Sequence, residues 1–370
     1  MDAAILRALL NKVLQYETEY KIQPYLEEAV SHVSSMAGAP QEPSYQTNFA
    51  ESFKKLKSSL LKMQEALTPG DWDRLAEISS DNDFSVELTN GIEEVISENA
   101  ATPAVIRDHI MEISQKRASE ITRYKNLLGE LTYFGFEPTE NDVDEGQIGF
   151  KIPRDIFHNN LPGLINELNF IRKFVRLVAE AESEEPGKIE VGEISTTDPV
   201  FWLIVAYGVA KSVGKVTDWC LDTWKKVEDI RNVRAQTAQL QSFSAEEVDQ
   251  IFGTKIQGQI DASIQEKVEQ LTAEVTDQAR KNELQNGLRP TLRQFLARIE
   301  RGMTVDVRYL PAPTKAGENE EVVEAREERQ SEIHVVAAKL VFPRPVGEPV
   351  LQIEAANDDN SAPKPSKPKP

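Results

Sequence analysis

The chain has 370 residues, with 42 lysines and arginines against 61 aspartates and glutamates, a net charge of −19. A surface of that sign repels nucleic-acid phosphates and anionic lipid headgroups, so neither is an expected partner. Hydrophobic residues make up 40% and charged residues 28% of the chain, which argues for a buried core and against global disorder, and the single cysteine, Cys220, excludes an intramolecular disulfide framework and a cysteine-rich zinc site.

The first residues, Met1-Asp2-Ala3-Ala4-Ile5-Leu6-Arg7, place an acid before any base and are followed by no long apolar run. That is unlike a secretory leader, and a cytoplasmic location is the expectation. Residues 2–36 read as helix with a break near Pro24, since Ile5, Leu9, Val13 and Tyr16 keep the spacing of one buried face. A second helix is predicted over 46–67 from the stripe Phe49, Phe53, Leu56, Leu60 and Met63. Thr68-Pro69-Gly70-Asp71 stops it and caps a short helix over 71–79, with another over 84–98. Thr102-Pro103, a threonine cap before a proline at the first helical position, opens a long helix to about Phe134, and Gly135 ends it.

Near 136–146 the pattern changes. Ile148, Phe150 and Ile152 alternate with polar or small residues, the period of a half-buried strand. A helix follows from about Leu161 to Glu182, with Leu164, Leu168, Ile171, Val175 and Val178 predicted to point inward. Ile189, Val191 and Ile194 suggest a second strand over 188–194. Strand, helix, strand permits a parallel pair with a crossover helix, and an antiparallel arrangement is also open. Asp198-Pro199 reads as the cap of a long helix to about Phe243, and Ser244 with Glu247 as a capping box that restarts it. Further helices are predicted around Ile256–Val275 and over 288–301, and a third strand over 303–310. Residues 315–332 are acidic and expected to be mobile, 333–342 are ambiguous, and 350–353 suggest a last strand. The sequence thus predicts an α+β protein, mostly α-helical: an all-helical domain over 1–136, a mixed domain with long central helices and a small sheet over 147–354, and a disordered Pro/Lys tail over 355–370.

No motif amounts to an active site. The four histidines, His32, His109, His158 and His334, show no i, i+4 metal pair. No phosphate-binding glycine loop or nucleophile elbow appears. Asp81-Asn82-Asp83 and Asp142-Val143-Asp144-Glu145-Gly146 lack the glycine and terminal glutamate of a calcium loop. Lys54-Lys55-Leu56-Lys57 reads as a helix face. No catalytic, cofactor-binding or metal-binding residue is therefore nominated. The one polar cluster at an element end is Arg154, Asp155 and His158, and it reads first as a helix cap through Asp155 or Asn160.

The unusual segment is Val200–Ala210, eleven residues without a charge. It is too short to span a membrane, which takes about 20 apolar residues. It reads as a buried central helix; the alternatives are a partner surface or a membrane-inserting element, carried by Phe201, Trp202, Leu203, Ile204 and Tyr207. Beyond it Val216, Trp219, Thr223, Val227, Ile230, Val233, Thr237 and Leu240 keep a three-to-four spacing, a seam for helix packing inside the chain or for a homo-oligomer.

The stretches Ile152-Pro153-Arg154, Asp222 to Arg231, and Glu300-Arg301-Gly302-Met303-Thr304-Val305 resemble conserved bacterial proteins of no assigned activity, over about residues 100–355. The resemblance implies a bacterial cytosolic protein and assigns no site. The leading expectation is a non-enzymatic interaction or assembly protein with a protein partner or a second copy, an accessory of a stress or defence system. The alternatives are a membrane-active effector that exposes 200–210, and an enzyme with a site near Arg154, Asp155 and His158.

Overall fold

A computed structural model of the chain describes residues 3–79, 83–136, 144–182, 189–195, 199–238, 245–312, 318–342, 351 and 353. Among these lie eleven helices and one four-stranded antiparallel sheet, the mostly helical α+β class. The chain divides into two compact units, Met1–Asp142 with Ala337–Lys339, and Val143–Val336 with Leu340–Pro370. The Pro/Lys tail lies outside the described residues.

In the first unit α1 (Ala3–Glu19) and α2 (Ile22–Gly38) are separated by Lys21, whose φ is 54°. The break therefore falls at Lys21 and not at Pro24. Pro24 sits inside the first turn of α2, where a helix has no use for the missing N–H. The Glu17 carboxylate accepts the free N–H of Gln23 at 2.7 Å. Ile22, Leu26, Ala29 and Val33 are fully enclosed at the spacing of one helix face, against α3 (Pro43–Ala66) and α6 (Pro103–Tyr133). α4 (Pro69–Ile78) opens with a reciprocal capping box between Thr68 and Asp71, and α5 (Glu87–Glu98) packs on α6. Thr102 precedes α6 without a side-chain capping bond, so Pro103 alone carries the start signal there. Gly135, at φ 73°, closes α6 in a conformation that costs glycine little.

Arg117 of α6 is completely buried. Its guanidinium donates to Glu17 at 3.0 Å, to the Gln23 side-chain oxygen at 3.1 Å and to the Asp83 carbonyl at 2.8 Å, and lies over the Phe84 ring. Removing one member of such a pair strands the other charge. Glu17→Ala is expected to destabilise the chain by about 3–5 kcal/mol in a denaturant melt; a loss below about 1 kcal/mol would show that water reaches the guanidinium.

The second unit runs β1 (Glu145–Lys151), α7 (Leu161–Ala181), β2 (Glu190–Ser195), β3 (Val200–Val205), α8 (Tyr207–Ala238), α9 (Ala245–Leu271), α10 (Gln278–Glu300), β4 (Thr304–Leu310) and α11 (Glu320–Ala337). The sheet order is β2-β3-β1-β4, and every neighbouring pair is antiparallel. This is the split β-α-β-β-α-β topology of ferredoxin-like domains, with α8, α9 and α10 together forming the second crossover. β1 and β2 run in the same direction but do not pair, because β3 is inserted between them.

Several expectations are corrected. Residues 200–210 do not form one helix: 200–205 are the strand β3, and α8 begins at Tyr207. A short apolar run carries no periodicity to separate a buried helix from a buried strand, and the valines, isoleucine and aromatics of this one favour the strand. Pro199 caps no helix; its carbonyl accepts the Ile152 N–H at 2.9 Å just before β3. Asp198 and Ser244 lie outside the described residues. α10 extends from Gln278 through Pro290, well before residue 288. The acidic stretch near 315–332 contains α11 instead of a mobile loop. Of the strand expected over 350–353, Val350 and Gln352 lie outside the described residues; the Leu351 N–H donates to Glu300 at 2.9 Å, and its buried side chain borders a small cavity together with Trp224, Val227, Ile260 and Leu296.

Alternation along the strands separates two sheet faces. Ile148, Phe150, Phe201, Leu203, Val305 and Val307 share one, covered by helices. Phe174 of α7 meets Phe150 edge-on at 6.4 Å and stacks on Phe295 of α10 at 4.2 Å. Glu167 of α7 and Arg298 of α10, both buried, join at 2.6 and 2.9 Å with the guanidinium 3.7 Å over the Phe170 ring. Gly214 of α8 is a point of close approach, since a methyl group there would lie 2.5 Å from Val336 of α11 and 3.2 Å from Val307 of β4. β2, an edge strand, carries a bulge between Val191 and Glu193.

Candidate functional site

The register sorts the segment nominated from sequence into three environments. Phe201 and Leu203 point with the apolar face toward the helices; Trp202 and Ile204 point to the other face; Tyr207 starts α8. Trp202 is 2% exposed and lies across β1 at Gly149, where a methyl group would come within 2.8 Å of the indole ring. Gly149 also pairs with Asp306 of β4, and Arg308 of the same strand places its guanidinium 4.1 Å over the Trp202 ring while reaching Asp306 at 3.3 Å. Trp202, Gly149 and Asp306 therefore form one cross-strand row, with Gly149 leaving room for the ring and Arg308, two residues along β4 on the same face, closing over it. Neither Arg308 nor Asp306 could be tied to Trp202 before the register was known. Gly149→Ala is expected to displace the indole and to cost about 1–3 kcal/mol, with loss of near-ultraviolet circular dichroism; an unchanged spectrum and melt would mean the ring has other space.

Tyr207 joins a polar network that reaches α11. Its hydroxyl and Lys211 Nζ both donate to Glu332 of α11, the lysine at 2.7 Å. One turn earlier Arg329 lies over the Tyr207 ring at 5.5 Å and reaches Asp144 at 3.3 Å. Arg326 donates to Asp144 at 2.9 Å and to Glu318 at 2.7 Å. Burial pushes the Asp144 carboxyl up, but the Ala312 N–H at 3.0 Å and the Arg326 guanidinium outweigh it and hold the group below the usual carboxylate range. Lys211, then Tyr207, holds Glu332 down as well, while burial and that carboxylate push the tyrosine up. The charges satisfy one another, so the network reads as the clasp of α11 onto β1 and α8. With both carboxyls depressed in the folded state, their contribution is present above about pH 4 and is lost as the pH falls through the lowered values. Intrinsic-rate-corrected hydrogen exchange should show α11 amides losing protection below about pH 4, and Asp144→Asn should weaken them already at neutral pH. Protection independent of pH would assign the docking of α11 to apolar packing alone.

Arg154, Asp155 and His158 lie on an exposed turn between β1 and α7. Arg154 donates to the Asn159 side chain at 2.8 Å, the His158 N–H points to the Asp155 carbonyl, and Asn160 caps α7 by accepting from Gly163 at 2.8 Å. His158 and Asn159 both have φ near +50°, the two left-handed residues that fold the turn. The cap is thus Asn160, and the three nominated residues stand open to solvent without converging on a cleft.

Among the described residues no group of three or more His, Cys, Asp or Glu side chains could hold a metal ion, and no helix is long and apolar enough to cross a membrane. Cys220 is buried, and burial pushes its thiol well up. In the seam of α8, Val216, Thr223 and Val227 are buried, on a helix that packs against α9; the side chains from residue 230 onward lie outside the description.

The surface feature that the sequence did not isolate is on α7. Leu161, Ile165 and Leu168 are 69%, 49% and 36% exposed, although Leu168 is expected to point inward. Their 4, 3 spacing continues through Arg172 and Arg176, both exposed, with Lys173 beside them. Leu164, Ile171, Val175 and Val178 supply the inward side, so α7 carries apolar residues around more of its circumference than one core requires. That excess was visible in the sequence and is the signal that could have found the stripe. Comparison with known protein families, curated proteins and solved structures finds no match for the chain.

Proposed function

We propose that this chain is a non-enzymatic interaction protein that docks a protein partner on the outer face of α7. The observation that carries this reading is the exposed row Leu161, Ile165 and Leu168 on a regular helix whose opposite side is already packed. Scattered exposed apolar residues are ordinary, but a row at helical spacing matches the way an amphipathic helix is received by a partner surface. The reading in which 200–210 is extruded toward a membrane would require β3 to leave two ladders at once. A site at His158 would have to act on an exposed turn where Arg154 is bonded to Asn159 and Asn160 is spent on capping α7.

The test compares the wild-type chain with Leu161→Glu/Ile165→Glu by affinity capture and cross-linking from the native cell. Both side chains face water, so the variant should melt within a few degrees of wild type, since exposed substitutions usually act within about 0.5 kcal/mol. Loss of the cross-linked partners from the variant is the expected result. An identical partner set for both proteins overturns the assignment to α7.

A further inference from the structure

We propose that the partner seated on α7 is α11 of a second copy of this chain. This rests on the reading of α7 as a docking face and names its occupant. The α7 stripe runs from apolar to basic: Leu161, Ile165 and Leu168, then Arg172, Lys173 and Arg176. Of the two acids of the helix, Glu167 is turned into the buried pair with Arg298, and Glu180 bonds Arg280 and pairs with Arg176 at the far end of the stripe, so Arg172 and Lys173 carry its outward positive charge. A face with three cations and no exposed acid is unusual on a chain of net charge −19.

α11 carries the complement in the opposite order. Its inward side is fixed by Arg326, Arg329 and Glu332 in the clasp and by buried Ile333. This leaves Glu320, Glu321, Glu324, Glu327 and Glu328 exposed along the first half, and Val335, 54% exposed, near the end. Glu324, Glu328, Ser331 and Val335 repeat the 4, 3, 4 spacing found on α7. Laid antiparallel, the acidic half of α11 meets Arg172, Lys173 and Arg176, and Val335 meets the leucine–isoleucine half. Both stripes extend about 20 Å at about 1.5 Å per residue. Two copies can exchange the contact reciprocally and close as a dimer; if the rotation does not close, the same contact propagates into longer assemblies. Copies of like net charge repel at long range, but at physiological ionic strength screening acts beyond about 8 Å and leaves close complementary pairs in place.

The experiment is sedimentation velocity of the purified full chain over a concentration series, with two charge-reversed variants: Arg172→Glu/Lys173→Glu on α7 and Glu324→Lys/Glu328→Lys on α11. Wild type is expected to self-associate, and less so on the order of 1 M salt. Each variant alone should associate at least tenfold more weakly, with unchanged melting because all four positions are exposed. An equimolar mixture of the two should regain association, since each then offers the other a complementary pair of stripes; a contact of α7 with α7, or of α11 with α11, would instead leave one of the two variants associating like wild type, and that result overturns the proposal. Self-association that survives both reversals, or a mixture that stays monomeric, overturns the proposal. A wild-type chain that is monomeric at every concentration also overturns it. If Leu161→Glu/Ile165→Glu then still loses a heterologous partner in capture, docking on α7 stands; if that capture is unchanged as well, both readings fall.

Discussion

β3 is hydrogen-bonded along both edges, to β1 on one side and β2 on the other, and the rest of the second unit is arranged around that double pairing. Its residues are almost wholly apolar, so neither face can be left to water: Phe201 and Leu203 go to the helical layer, and Trp202 needs cover on the opposite face. That cover comes from the sheet itself, through the gap at Gly149 and the guanidinium of Arg308. Only one residue separates β3 from α8, so Tyr207 and Lys211 are delivered to a fixed place at the end of the sheet, where α11 is clasped. The outward charge of α11 follows, because its arginines at 326 and 329 are drawn inward by Asp144.

Each unit contains a buried arginine–glutamate pair laid on a phenylalanine ring: Arg117 with Glu17 over Phe84, and Arg298 with Glu167 over Phe170. Desolvating such pairs costs much of what their attraction returns, so they contribute little net stability compared with apolar residues of the same shape. They are costly to mispair, however. A helix shifted by one turn would bury an uncompensated charge, and in this sense each pair sets the register of the helices that carry it.

The elements with a clear period were legible from residues alone. The stripe of α3, apart from the half-buried Phe53, and the alternation of Ile148 and Phe150 in β1 place the same side chains inward as the structure does, because burial on one side leaves its spacing in the sequence. Legibility failed where that imprint is missing. β3 is buried on both faces and therefore has no alternation to read, so its residues alone point to a buried helix. α11 owes its inward side to arginines, whose role depends on Asp144 nearly two hundred residues away, so its composition resembled an unstructured acidic loop. The outward row of α7 is legible only as an excess: Leu168 reads as core by its spacing, and that α7 carries apolar residues around more than one face is the sole sequence signal that Leu161, Ile165 and Leu168 form a second row.

The bulge in β2 has a consequence for how copies of this protein can meet. An open sheet edge is a template for strand addition, the route by which soluble chains turn into fibres. Here β2, one of the two edge strands, is six residues long, holds two glutamates, and carries an extra residue at Gly192, so its pattern of donors and acceptors is out of step with that of a regular incoming strand. Backbone-to-backbone growth at that edge is disfavoured, while side-chain recognition along helix surfaces is left open, and only the second can be reversed by salt or tuned one residue at a time.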